Sequence, residues 1–195
     1  LQVLGERGFH AARIDDIVRA AAVSHGTFYL YFANKDDLVR ALAVRGADEM
    51  SDLVGTLGPV GPGPDGLAEL ESWLGRFVAL YRAYGVVIRA WMEDQVASRD
   101  LSRLEVKTFA AMAGGLVARI REARPDLSSH QAELQAAALL AMIERFTYCV
   151  SSRGLGVVDD DDDDAMVSTL AVLIHRGFFA GPASAGTRRR DPVAR

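Results

Sequence analysis

Cysteine is nearly absent from this chain, and the one present, Cys149, leaves no internal disulfide and argues against a secreted, cross-linked scaffold. Nor does any apolar run approach the roughly 20 residues of a membrane span. No basic-then-apolar segment opens the chain, so a cytoplasmic protein is expected. The alternation of apolar and polar residues that marks a half-buried strand is missing throughout, as is any internal repeat. No nucleophile elbow, phosphate loop or paired-carboxylate motif occurs, so neither an enzyme nor a bound cofactor is expected. His10, His25, His130 and His175 share no ligand spacing, and no metal site is expected.

What is present is helical periodicity with dense punctuation. Half of the 195 residues are hydrophobic, enough for one sizeable core or a small domain fused to a larger one. The net charge is −4, unevenly spread: residues 1–46 hold six cations and five acids, a balance of +1, so the rest carries −5. Nucleic-acid binding needs a local cationic face rather than a basic protein, and two such faces in a dimer serve better than one.

The densest stretch is GFHAARIDDIVRAAAVSHGTFYLYFANKDDL, from Gly8 to Leu38. Ile14, Ile17 and Val18 form one apolar face at helical spacing, with Asp15, Asp16 and Arg19 outside it. Ala20, Ala21 and Ala22 permit close helix approach. Ser24 is placed to cap the next short helix; Asn34 caps the one after, with Asp36 and Asp37 in its first turn, where the helix dipole favours negative charge. Within HGTFYLYF, Phe28 and Phe32 can point inward only if Tyr29 and Tyr31 face outward. Exposed tyrosines beside Gly26, Thr27 and Lys35 suit a phosphate-gripping surface, and the whole reads as a helix-turn-helix unit for the DNA major groove.

This segment resembles the DNA-binding domain of the TetR family of bacterial transcription regulators. Gly8-Phe9, Ile14, Ile17, Val23-Ser24, Gly26-Thr27-Phe28-Tyr29, Tyr31-Phe32, Lys35 and Leu38 carry the resemblance, and VSHGTFYLYFANKDDL is its specific part. The resemblance implies that His25, Thr27, Tyr29 and Tyr31 face DNA and that Lys35 contacts a phosphate, with Ser24 and Gly26 completing the set. Arg13 stands where the family has Thr or Ser; a cap worth roughly 1 kcal/mol is lost, and the guanidinium becomes a candidate phosphate contact. Ala22 replaces the usual glycine of the turn, where a left-handed conformation costs alanine about 1 kcal/mol. LQVLGERGF matches only the last half of the family's first helix, so a truncated first helix is expected.

The remainder reads as helix after helix, giving an all-α protein. A connecting helix runs from Lys35 to about Leu57, and GPVGPGPDG (Gly58–Gly66) breaks it. Asp65 is expected to cap a helix bearing Leu67, Leu70, Leu74, Phe77, Tyr81 and Tyr84. A shorter helix holds Val87, Ile88, Trp91 and Met92. The next spans about Asp100 to Arg124, with Leu104, Met112, Leu116 and Ile120 on a stripe. Ser128 and Gln131 form a capping-box pair opening a helix that carries Leu139, Met142, Phe146 and Val150. The last helix follows the aspartate run Asp159–Asp164, whose acids suit a helix N-terminus better than a calcium loop, which needs spaced ligands and glycine. Three regions result: a DNA-binding domain over 1–46, a ligand-binding and dimerisation domain over 47–180, and a disordered tail over 181–195 containing Arg188, Arg189 and Arg190.

Large side chains crowd the central helices, where the resemblance implies a small-molecule effector pocket. The expected lining is Phe77, Tyr81, Trp91, Phe109, Met112, Met142 and Phe146, mostly apolar and so suited to a lipophilic ligand. The two C-terminal helices are the expected homodimer interface, each apolar over more than one face. The function expected is a homodimeric DNA-binding transcription regulator, a repressor released from its operator by the effector. The alternative is a helical small-molecule-binding dimer that has lost DNA binding.

Overall fold

In the computed structural model, which describes residues 1–92, 99–151 and 163–180, every described element is helical. The first, α1 (Gln2–Ala11), breaks at Gly8, whose φ of 75° lies where side chains with a Cβ are strained. Then come α2 (Ile14–Ala20), α3 (His25–Tyr31) and α4 (Lys35–Gly55). Local hydrogen bonds set their ends. Ser24 Oγ accepts from Thr27 N at 3.0 Å, and Asn34 Oδ1 accepts from Asp37 N at 2.9 Å. Asp37 answers through Oδ2, which accepts from Ala33 N at 3.1 Å.

The glycine- and proline-rich break leads to α5 (Pro64–Ala83), followed by α6 (Gly85–Met92) and α7 (Arg99–Ala123). Asp65 is not the cap of α5: Gly63 occupies that position, Pro64 follows in the first turn, and Asp65 lies inside the helix. Proline suits the first helical position because its φ is preset and no amide hydrogen is needed there. The capping box before α8 (Ser129–Ser151) forms as expected, with Ser128 N donating to Gln131 Oε1 at 2.9 Å and Gln131 N to Ser128 Oγ at 3.3 Å. Finally, α9 (Asp163–Ile174) runs into a π-helical turn, His175–Phe179. Asp163 and Asp164 occupy the first turn of α9; Asp159–Asp162 and the tail lie outside the described residues.

Among the described residues, two apolar cores result. The larger gathers Trp73, Leu74 and Phe77 of α5, Leu116 and Ile120 of α7, Leu139, Leu140 and Ile143 of α8, and Leu170 and Ile174 of α9. The smaller joins Leu4, Phe9 and Ala12 to Val39 and Ala43 of α4 and to Val86 and Val87 of α6. Thus α4 serves both, passing residue 46 without a break. Trp73 Nε1 donates to Leu53 O of α4 at 2.9 Å. At Gly46 the helix meets Tyr84 so closely that a Cβ would lie 2.8 Å from its ring. Movement of α4 therefore cannot leave α5 and α6 undisturbed, because interiors this dense transmit displacement.

Candidate nucleic-acid interface

The turn between α2 and α3 closes by backbone hydrogen bonds that satisfy the last carbonyls of α2. Val23 N donates to Val18 O at 3.0 Å and Ala22 N to Arg19 O at 3.2 Å, with Ala22 itself left-handed at φ 52°. This is a Schellman stop carried by alanine instead of glycine. It fixes the entry into α3, whose N-cap, Ser24, also places its Oγ 2.9 Å from Thr27 Oγ1.

The register of α3 follows from one buried anchor. Phe28 is 5% exposed and Phe32 half-buried, whereas Tyr29, Leu30 and Tyr31 are 55%, 76% and 71% exposed. The aromatic pairs thus divide as the sequence pattern requires. Phe28 meets the Tyr29 ring edge-on at 5.3 Å and tilts against Phe32 at 5.5 Å. Ser24, His25, Gly26 and Thr27 are exposed beside them, so a single surface brings these residues together with Tyr29 and Tyr31. Leu30, the most exposed large apolar residue of α3, was not singled out by the sequence pattern. Its sole signal is its place two residues beyond the inward Phe28.

The charges on this surface are mostly engaged. Arg7 pairs with Asp16 at 2.7 Å, which Arg19 also approaches at 3.7 Å; Arg40 lies 3.6 Å from Asp37, and Arg45 is 2.8 Å from Glu49. His25 Nε2 lies 2.6 Å from Asp15 Oδ1, leaving Nδ1 as the imidazole nitrogen available to a base edge.

Lys35 is engaged by its own chain. Its Nζ donates to the carbonyls of Phe9 at 2.5 Å, Ala12 at 3.0 Å and His10 at 3.3 Å, and lies 4.5 Å from the centre of the Phe9 ring. An ammonium has three hydrogens, and three carbonyls at the end of α1 lie within reach to accept them. Arg13 is exposed, precedes α2 without a capping side-chain bond, and is the one cation of residues 1–46 with no ion-pair or hydrogen-bond partner among the described residues.

Of the expected pocket residues, Phe77, Tyr81 and Met112 are buried in the larger core, and Met142 and Phe146 pack against it half-buried. Tyr81 donates its hydroxyl to Glu144 Oε1 at 3.4 Å. Burial, then the Glu144 carboxylate, holds the Tyr81 phenol well above its ordinary range. Phe109 does not join them. It shares the angular stripe of Met112 and Leu116 on α7 but is 39% exposed, because correct helical phase buries a residue only where another element covers that turn. The Trp91 side chain lies outside the described residues. Among the described residues no cluster of three His, Cys, Asp or Glu side chains could hold a metal, and no helix is long and apolar enough to cross a membrane.

Comparison with known proteins covers the segment that carries this surface. A family profile described as bacterial regulatory proteins, tetR family, matches residues 1–42. The uncharacterised HTH-type transcriptional regulator YvdT of Bacillus subtilis (strain 168) is 46% identical over 43 residues, 22% of this chain and 22% of that protein. That match therefore spans about a fifth of the relative's own length. The HTH-type transcriptional regulator BetI of Escherichia coli O157:H7 is 29% identical over 149 residues, 74% of each chain. Among solved structures, a TetR-family transcriptional regulator from Mesorhizobium loti superposes with a TM-score of 0.64 at 14% identity, covering 92% of this chain and 90% of its own. The fatty acid degradation regulator FadR of Bacillus halodurans gives 0.59 at 19%, with 93% and 95% covered. At such identities the structures speak to the fold alone.

Proposed function

We propose that this chain, which belongs to the TetR family of bacterial regulatory proteins, is a homodimeric DNA-binding transcription regulator that a small lipophilic effector releases from its operator. The observation that carries the reading is the outward presentation of α3. Phe28 anchors it from below, the Schellman turn and the Ser24 cap fix its start, and Thr27, Tyr29 and Tyr31 stand outward. In this mechanism α3 enters the major groove. Thr27, Tyr29 and Arg13 position the unit through phosphates, and His25 and Tyr31 reach base edges.

Dimerisation uses α8 and α9. Leu134, Ala138 and Ala141 form an exposed stripe on α8, and Leu173 is exposed on α9, with Leu134 and Leu173 at 57% and 56%. A second copy offers the same stripes in return, as a two-fold interface requires. The effector sits among Phe77, Tyr81, Met112, Met142 and Phe146. It acts through α4, which Trp73 and Tyr84 grip on the core side and Lys35 ties to α1 on the DNA side. Operator and effector then weaken one another by the same coupling free energy.

The engaged cations favour one second reading, a ligand-binding dimer without DNA affinity, because Arg7, Arg19 and Arg40 have acidic partners and Lys35 turns inward. The double variant Tyr29→Ala, Tyr31→Ala distinguishes the two. Loss of binding to DNA from upstream of the chain's own coding region, in a folded dimer, supports the regulator; unchanged binding removes α3 as the interface.

A further inference from the structure

The pole of α3 opposite its anchor is apolar. At about 100° per residue, Gly26 and Leu30 fall on the side facing away from Phe28, while Tyr29 and Tyr31 flank them. The exposures agree, since Leu30, at 76%, exceeds both tyrosines. Gly26 adds no bulk beside it; even a Cβ built there would meet only Ser24 Oγ, at 3.6 Å. A helix lying in the major groove with hydroxyl-bearing residues on its flanks directs this pole at the groove floor.

Leu30 can neither donate nor accept a hydrogen bond, so it cannot read the polar pattern of a base edge. The groove floor offers one apolar group, the 5-methyl of thymine. We propose that Leu30 is a specificity-determining residue that selects thymine at one position in each operator half-site by burying its side chain against that methyl. This inference rests on the DNA-binding reading and adds to it the base class read by a residue with no polar chemistry. The two tyrosines, whose hydroxyls suit phosphates or polar edges, are left to positioning.

The experiment begins by selecting duplexes from a random pool with the full chain. Each thymine of the selected site is then replaced singly by deoxyuridine, which pairs identically but lacks the methyl. With the wild-type chain, one thymine per half-site should show about fourfold weaker binding, the worth of one buried methyl-sized group. Leu30→Ala should bind the parent site more weakly and be indifferent to that same replacement, so that the two changes are not additive. Its melting temperature should match wild type, because so exposed a side chain packs against little. The inference is overturned if wild type tolerates every deoxyuridine, or if the sensitivity persists in Leu30→Ala. Enrichment of no sequence at all would instead remove the DNA-binding reading itself, and this inference with it.

Discussion

The ammonium of Lys35 donates to the Phe9 carbonyl at 2.5 Å while lying 4.5 Å from the centre of the same residue's ring. With the carbonyls of His10 and Ala12 also in reach, one side chain ends α1, where a helix leaves its last carbonyls without partners, and pins it to the start of α4. Lys35→Met keeps the stem and removes the donors. It should destabilise the protein by about 1–3 kcal/mol, since hydrogen bonds to a charged group are lost and carbonyls left unpaired. Denaturant unfolding checks the stability. The salt slope of DNA binding separates the roles: an internal lysine leaves it unchanged, whereas a phosphate contact would lower it by about 0.9 per contact.

Arg13 carries the opposite expectation. Exposed and unpaired among the described residues, it should act only when DNA is bound. Arg13→Ala should leave the melting temperature within the small range usual for surface changes. It should also weaken binding to all sequences alike and reduce the salt slope by about one per protomer, as measured by titration at several ionic strengths.

Ala22 at φ 52° holds a conformation that costs an L residue roughly 1–2 kcal/mol. Glycine removes that cost but brings greater freedom to the unfolded chain. The net expectation for Ala22→Gly is a gain of about 0.5–1 kcal/mol, read as a higher unfolding midpoint at unchanged denaturant slope.

Tyr81 predicts a change at alkaline pH. Burial, then Glu144, raises its phenol in the folded protein. An unfolded phenol ionises at about pH 10. The folded state therefore holds the proton after the unfolded state has released it. Stability from this group is full below about pH 10 and declines as pH rises towards the folded value. Tyr84, raised first by burial and then by its hydrogen bond with Glu49, adds to the decline. Unfolding midpoints measured from pH 8 to 11 should fall less steeply for Tyr81→Phe than for wild type.

Local chemistry made much of this legible in the sequence. The caps at Ser24, Asn34 and Ser128 with Gln131 need only short-range partners, and each forms. The outward turn of Tyr29 and Tyr31 follows from Phe28 and Phe32 alone. What the sequence hid depends on distant chain. Lys35 finds its carbonyls 23 to 26 residues away, and no local pattern distinguishes that from a solvent-facing lysine. Phe109 has the phase of a core residue, yet coverage by another element decides burial. Asp65 reads as a cap because aspartate commonly is one, but Pro64 takes the first helical position and moves the cap back to Gly63. A leucine among aromatics, such as Leu30, reads as core until the helix has a direction.

The central claim is that α3 binds a specific duplex as half of a dimer. Fluorescence anisotropy of the full chain against DNA from upstream of its own coding region, with a scrambled control and a salt series, tests it most directly. The account predicts tight binding to the first duplex alone, saturation at two protomers per site and a linear loss of log affinity with log salt. Equal binding to both duplexes, or binding to neither, would contradict it.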